Sequence, residues 1–568
     1  MRLTGAQIVL ECLLEQKVDV IFGYPGGTIL NIYDALCDYS DRIRHVLSAH
    51  EQGAAHAADG YARSSGKVGV CFATSGPGST NLITGIATAY MDSSPVVFIT
   101  CNVNDVLIGK DAFQEVDITG ISMPITKCNY FVSDVNKLAD VVREAFAIAR
   151  SGRPGPVLID IPKNVTAAKA EYEFLPRSEH KSNGRLAALI KRSSHDFKAP
   201  EPDEQDINKL TEMIKESKKP LLICGGGVVR SRAHKEFLQF AETVDAPVAI
   251  TLMGAGGFRG SSPLATGMIG MHGSQASNMA VAGCDLLIAV GCRFSDRVAL
   301  DTNSFAKQAK IVHIDIDRSE INKNVHADHY IIGDAKRALQ MLSERVSQQE
   351  HSEWKKYVFS FKTETEYESG GESLTPKQIT ETIARLAPQD TMVATDVGQH
   401  QMWTIQHFHF DYPGQLITSG GFGTMGFGLG AAIGAQVANP DKKVIHMTGD
   451  GSFRMNCNEL ATEQFYKLPI ITIIFNNGTL GMVRQWQTLI YKERYSQTTL
   501  DRGPDFVKLA EAYGLKGRKA HNVSELEEAL KDALKSDCGY VIDCTINMDE
   551  KVRPMVGGGS HITNFILD

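Results

Sequence analysis

Residues 444–482, VIHMTGDGSFRMNCNELATEQFYKLPIITIIFNNGTLGM, constrain the fold of this chain more than any other stretch. The apolar run Val444 to Met447 closes in Thr448-Gly449-Asp450-Gly451-Ser452, and a segment with helical apolar spacing follows from Phe453 to Tyr466. A second apolar run, Ile470 to Phe475, stops at Asn476-Asn477-Gly478. This is strand, helix, strand, and the helix makes the two strands parallel. Ligands of open α/β sheets collect at the carboxyl ends of the strands. Here those ends carry Asp450 and Asn477, both hard oxygen donors, with Gly449 and Gly451 allowing backbone to approach an anion closely. A helix starting near Ser452 turns its free amides toward the same anion. A carboxylate, an amide oxygen and a phosphate around one small space suit Mg²⁺.

Taken singly, GDG and NNG are ordinary turns. Their pairing is specific, because 27 residues separate Asp450 from Asn477 and each turn closes an apolar run. On these residues the chain resembles the thiamine-diphosphate enzymes. The resemblance implies thiamine diphosphate as cofactor and Mg²⁺ held by Asp450, Asn477 and the carbonyl of Thr479.

A chain of 568 residues with 43% apolar content exceeds what one core accommodates, so three domains are expected. Net charge −8 and a pI of 6.1 argue against a general nucleic-acid or anionic-membrane surface. Eleven cysteines without a CxxC pair point to reduced thiols and a cytoplasmic protein. The opening MRLTGAQIVLECLLEQ has an amphipathic helical pattern and lacks a signal-peptide core. No apolar run approaches the ~20 residues of a membrane span. The fold class expected is α/β, with three doubly wound parallel sheets over 1–165, 206–345 and 373–550. Polar stretches 166–205 and 346–372 read as linkers, and glycine-rich 551–568 as a C-terminal lid.

In the first domain, three segments stand in the order GYPGG (from Gly23), AHEQGAAHAADGYAR (from Ala49) and TSGPGSTN (from Thr74). They resemble the pyrimidine-binding domain of the same family. The resemblance gives Glu51 the task of protonating a pyrimidine nitrogen so that the exocyclic nitrogen removes the thiazolium proton. A carboxyl group in an apolar site suits that task, since burial raises its pKa. Gly27 joins the catalytic set, and Pro25 and Thr74 the cofactor set. DAFQEVDI (from Asp111) followed by PITK (from Pro124) narrows the resemblance to acetolactate synthases (acetohydroxyacid synthases). By that likeness Phe113 and Gln114 line the active site, Lys163 borders the substrate entrance and Arg153 contacts flavin. Family enzymes join Glu51-type and Asp450-type residues from two subunits, which implies a homodimer or homotetramer.

The middle domain carries Gly226 in a triple-glycine turn, Thr251-Leu252-Met253, Met271-His272, Gly291, Arg293, Asp315-Ile316 and Asp334-Ala335. These resemble, in order, the FAD-binding segments of the family. Arg297 matches the arginine that recognises the second 2-oxoacid, and a guanidinium fork suits a carboxylate. The family's usual RFDDR is RFSDR here, with Ser295 in place of Asp. In the third domain Gln399 and His400 match diphosphate contacts, and Gln401 and Met402 approach flavin. Met425, beside Gly423, matches the residue that bends the cofactor. Gly449, Gly451, Ser452 and Met482 surround the cofactor, and Trp486 matches the tryptophan favouring 2-oxobutanoate.

The resemblance implies decarboxylation of pyruvate and addition of the hydroxyethyl carbanion to a second pyruvate or to 2-oxobutanoate. That is the first common step of branched-chain amino-acid biosynthesis, with FAD structural and a small regulatory subunit as a further partner. A flavin-free fermentative acetolactate synthase and a pyruvate-oxidase-like enzyme share much of the motif set. Bound flavin and consumption of an electron acceptor separate them. The intact Glu51, Asp450 and Asn477 argue against a non-catalytic paralogue.

Overall fold

Three runs of six apolar segments, each closed by small or polar turn residues, build three parallel sheets in this computed structural model, which describes residues 1–175, 199–362 and 373–567. The first sheet contains β1 (Val20–Gly23), β2 (Arg44–Leu47), β3 (Gly69–Ala73), β4 (Val96–Asn102), β5 (Cys128–Phe131) and β6 (Val157–Pro162). Their spatial order is β2-β1-β3-β4-β6-β5, all parallel. The second holds β7 (Pro220–Cys224), β8 (Val248–Ile250), β9 (Ala265–Met268), β10 (Leu286–Val290), β11 (Lys310–Asp315) and β12 (His329–Ile332). Its order, β9-β8-β7-β10-β11-β12, is the one dinucleotide-binding sheets use. The third holds β13 (Met392–Thr395), β14 (Leu416–Thr418), β15 (Val444–Gly449), β16 (Ile471–Asn476), β17 (Lys516–Ala520) and β18 (Tyr540–Thr545). Its order, β14-β13-β15-β16-β18-β17, repeats that of the first sheet. The fold class is therefore α/β with three doubly wound sheets.

Each sheet has a switch point, between β1 and β3, between β7 and β10, and between β13 and β15. The turns leaving those strands are the glycine-rich ones: Gly23 to Gly27, Gly225 to Gly227 with Gly291, and Gly398 with Gly449 to Gly451. Topology thus gathers the motif residues of each domain at one crevice.

The small residues of the Glu51–Ser65 helix let it lie against the equally small-sided Phe427–Ala438 helix, joining the first and third domains. A Cβ on Gly434 would come within 1.9 Å of the Ala57 carbonyl oxygen, and one on Gly60 within 2.1 Å of that of Ala431. Ala57, Ala58, Ala431, Ala432 and Ala435 belong to one continuous apolar core across this contact.

Parts of the stretches read as linkers are ordered secondary structure. Lys169–Glu171 pairs antiparallel with Arg2–Thr4, and the Glu204–Glu216 helix begins before residue 206. Ser352–Phe359 is a helix whose buried Trp354 donates its indole N–H to the Pro220 carbonyl at 2.9 Å. A polar composition concealed two apolar positions, Trp354 and Val358, one turn apart. The central parts of both linkers, 176–198 and 363–372, lie outside the described residues. The C-terminal segment folds back as a two-stranded ribbon, Met555–Val556 with Phe565–Ile566, and Val556 N–H donates to the Met271 carbonyl at 2.7 Å. Among the described residues no helix is long and apolar enough to cross a membrane.

Candidate active site

At the switch point of the third sheet, β15 delivers Asp450 to the first position of the Asp450–Asn456 helix. One carboxylate oxygen, Oδ2, is buried and has no hydrogen-bond partner. Burial, only partly offset by Arg454, pushes the Asp450 carboxyl up to about 7. Asn477 sits nearby, its amide donating to Gln399 Oε1 at 3.3 Å while its own oxygen accepts from Thr479 N–H at 3.3 Å. A Cβ on Gly451 would meet Leu480 at 2.7 Å and the Met425 methyl at 3.9 Å, so the two motif turns and Met425 share one space. His400 packs on Gly398 and Gly449, and its Nε2 is buried without a partner. Burial lowers the His400 pKa to about 4, which keeps the ring neutral. Ser452 donates to the Val397 carbonyl at 3.0 Å.

These orphaned atoms suit the groups expected there. Oδ2 of Asp450 is desolvated, lacks a hydrogen-bond donor and has its charge only partly offset, which a divalent cation relieves. Among the described residues no set of three or more His, Cys, Asp or Glu side chains is placed to hold a metal. A cation here therefore relies on one carboxylate, one amide and non-side-chain oxygens, the mixture that phosphate-sharing Mg²⁺ takes.

Beneath this turn lies a network the sequence reading missed. Asp396 accepts from Gly428 N–H at 2.9 Å and from Thr448 Oγ1 at 2.7 Å, and contacts His446 Nε2 at 3.0 Å. Burial opposes its charge, but these contacts outweigh it and hold the carboxyl below its usual range. Gln399 donates to Gln485 Oε1 at 2.9 Å and to the Glu550 carbonyl at 2.7 Å, tying the Asn477 amide to the start of the C-terminal segment.

Glu51 opens the Glu51–Ser65 helix that follows the edge strand β2, with His50 as N-cap. It is buried, and Asn81 donates to its Oε2 at 3.0 Å. Glu459 of the third domain accepts from the N–H groups of Ala49 and His50 at 3.1 and 3.0 Å and so fixes the entry to that helix. A Cβ on Gly26 would strike Thr74 at 2.4 Å, whereas Gly27 faces open space. Pro25 lies between these turns and is half-buried. Phe113 is 87% exposed, while the Gln114 backbone packs on Gly76 with φ +61°. Lys163 begins a short helix directly after β6.

A cavity of about 1060 Å³ opens where the three domains meet. It is lined by Arg153, Gly226, Thr251, Leu252, Met253, Met271, His272, Gly291, Arg293, Arg297, Asp315, Ile316, Asp334, Ala335, Gln401, Met402, Gly423, Met482 and Trp486. The residues expected to contact flavin, with Arg297 and Trp486, thus share one wall. Glu51, Phe113, Gln114 and Lys163 are not among its lining residues. The volume reaches the upper end of ordinary ligand pockets. At its floor two glycine turns press together: a Cβ on Gly227 would sit 2.6 Å from Gly291 Cα, and one on Gly225 would sit 2.1 Å from the Gly291 oxygen. His272 Nδ1 is buried and unpartnered, and burial lowers its pKa to about 4. Size, backbone exposure and the switch-point location fit a dinucleotide such as FAD.

Two assignments acquire added detail. Arg153 donates to Glu320 Oε1 at 2.7 Å and Ser93 Oγ at 2.8 Å, so it bridges the first and middle domains at the cavity edge. Arg297 is exposed and meets only its neighbour Asp296, at 3.3 Å, among the described ion pairs. Asp92 and Arg230, also at the cavity, went unnoticed in the sequence because their partners lie in other domains.

Comparison with known proteins matches the same three units. Family models match the N-terminal thiamine pyrophosphate-binding domain at 3–121, the central domain at 207–342 and the C-terminal thiamine pyrophosphate-binding domain at 396–544. The chain is 46% identical to a "Probable acetolactate synthase large subunit" of Methanocaldococcus jannaschii, over 99% of this chain and 95% of that protein. It is 43% identical to the acetolactate synthase isozyme 2 large subunit of Escherichia coli K12, over 98% of each. A solved structure, the thiamine diphosphate-dependent 4-hydroxybenzoylformate decarboxylase of Rhodococcus jostii RHA1, superposes with TM-score 0.84 at 25% identity. That match covers 97% of this chain and 100% of the other.

Proposed function

This chain belongs to the thiamine pyrophosphate enzymes, among the acetolactate synthase large subunits, and on that premise we propose how its own residues make acetolactate from pyruvate. The observation that carries the reading is the pair of buried orphans, Asp450 Oδ2 and His400 Nε2, at the switch point of the third sheet. When bound, thiamine diphosphate supplies the electron sink that lets a 2-oxoacid lose CO₂ and its remaining carbons join a second 2-oxoacid. Asp450 and Asn477, with the Thr479 carbonyl, would hold Mg²⁺ against the diphosphate, and His400 would contact the diphosphate as a neutral imidazole. Glu51 holds and returns a proton at Oε1, because Oε2 is engaged by Asn81. Arg297, unburdened by a buried partner, takes the carboxylate of the second 2-oxoacid. Trp486 and Met482 supply the apolar wall for its side chain. The glycine turns of β7 and β10 would hold FAD in the cavity, where it would serve structure alone, since the net reaction is not an oxidation.

Because the cavity lining takes in Gly398, Gly423 and Met482 but excludes Glu51, we place Glu51 in the site of a second copy. The enzyme is then a homodimer or homotetramer, cytoplasmic, with a small regulatory subunit as a further partner. It supplies branched-chain amino-acid synthesis with 2-acetolactate and 2-aceto-2-hydroxybutanoate.

The test is acetolactate formation from pyruvate with and without thiamine diphosphate and Mg²⁺. Activity that requires both, in a yellow protein that consumes no electron acceptor, is the expected result. Acetolactate formation by a flavin-free protein would move the assignment to the fermentative class.

A further inference from the structure

The loop Ser419–Met425 connects both halves of the site described above. Gly421 and Gly423 line the cavity, and Met425 reaches the space over Gly451. Its hold on the rest of the molecule comes from the first domain. Asp92, at the end of the Ile83–Met91 helix, accepts the Gly421 N–H through Oδ1 at 2.7 Å, and its side chain is fully buried. A second tether joins the Thr88 and Thr424 hydroxyls at 2.7 Å. Gly421 has no alternative identity here, since a Cβ would lie 2.7 Å from Asp92 Oδ1 and 3.0 Å from Arg293 Nη2.

The other oxygen of Asp92 is equally committed. Oδ2 accepts from Arg63 Nη2 at 3.1 Å. Arg63 is itself held by two 2.7 Å bonds to Asp59 and donates to the Thr418 carbonyl at 2.6 Å. Arg230 of the middle domain donates to the Asp92 backbone carbonyl at 2.9 Å. Asp92 is therefore held within its own domain through Oδ2 and by the middle domain through its backbone carbonyl, and its Oδ1 presents a fixed acceptor to the third. Such fixed acceptors transmit position, because moving the loop would strand a buried charge.

We propose that Asp92 is a positioning residue, which through the Gly421 N–H sets the Ser419–Met425 loop for both thiamine diphosphate and the cavity's occupant. The inference rests on the functional reading of this site. It follows that the flavin cavity and the thiamine site share a wall, and that damage to the tether weakens cofactor binding before it slows turnover.

Asp92→Asn tests this. Whichever way the amide turns, its oxygen serves either Arg63 or Gly421, and its NH₂ opposes the other donor. Binding of thiamine diphosphate with Mg²⁺, measured by calorimetry without pyruvate, is expected to weaken about tenfold or more, the worth of a buried bond to a charged group, while kcat at saturating cofactor stays within about threefold. Asp59→Asn removes the same unit of charge from around Arg63 without touching the loop, and should change binding by less than about twofold. Equal losses in the two variants, or unchanged binding in Asp92→Asn, overturn the proposal. Should Asp92→Asn fail to fold, Thr88→Val removes the neutral tether and is expected to weaken binding about fivefold, with no change overturning the proposal. A parent protein that binds no thiamine diphosphate would overturn the functional reading together with this inference. A parent that binds it beside an unaffected Asp92→Asn overturns the inference alone.

Discussion

Glu51 and Asp450 are both buried carboxylates at the end of a parallel strand, yet their surroundings give them different chemistry. Asp450 has a desolvated oxygen without a partner, which a cation compensates. Glu51 has one oxygen satisfied by Asn81 and the other free to carry a proton. Glu51→Gln keeps the Asn81 contact and removes the proton, so acetolactate formation should fall about 10²- to 10⁴-fold, with thiamine diphosphate binding little changed in a calorimetric titration. Trp486→Leu should lower the preference for 2-oxobutanoate over pyruvate about tenfold in a competition assay, because less apolar wall remains to favour one extra methylene. The residues behind both predictions were marked in the sequence by the resemblance of their segments to the family, AHEQGAAHAADGYAR for Glu51 and GMVRQWQ for Trp486. Asp92, Arg230 and Glu459 were not. Their meaning lies in a partner from another domain, 329 residues away in the case of Asp92 and Gly421, and no local pattern encodes such a pairing.

At the scale of elements, the apolar runs closed by the GDG and NNG turns were readable as β15 and β16, but β5 was not. Cys128–Phe131 is a short edge strand, half exposed, and lacks the buried apolar run that marks its neighbours. The Ser352–Phe359 helix was hidden for a similar reason, its single apolar stripe set in charged sequence. The small residues of the Glu51–Ser65 helix face the Phe427–Ala438 helix at close range. Gly434→Ala should therefore cost about 3 kcal/mol, the upper range for overpacking, because the added Cβ meets backbone at 1.9 Å and neither helix can yield alone. Its urea midpoint measures this. β6 stores a pH response of its own. Burial pushes Asp160 up to about 6 from 3.8, against the opposing bonds from Asn102 and Thr100. The folded state thus holds this proton more tightly than the unfolded one. The resulting stabilisation is complete below 3.8 and is lost as pH rises through 6. Between these limits the urea midpoint of the parent should fall relative to that of Asp160→Asn, which lacks the titrating group.

For the whole molecule, the decisive question is what faces Glu51. The cavity proposed for flavin, which Arg297 and Trp486 also line, excludes it. The apolar surface points the same way, with Phe113 87%, Phe465 73% and Met123 67% exposed, more than a solitary chain should leave uncovered. A second copy related by a two-fold axis would place Glu51 of each chain against the Asp450 turn of the other, making two composite sites. This arrangement has a consequence no single-chain site shares. Glu51→Gln and Asp450→Asn are each inactive as pure proteins, but a mixed dimer restores one site by pairing the intact Glu51 of one chain with the intact Asp450 of the other. Its second site then carries both lesions. After subunit exchange at equal amounts about half the dimers are mixed, each with one of two sites working, so activity should recover to about a quarter of the parent's. Acetolactate formation before and after exchange reads this directly. A mixture that stays as inactive as its components would place both carboxylates in a site built from one chain.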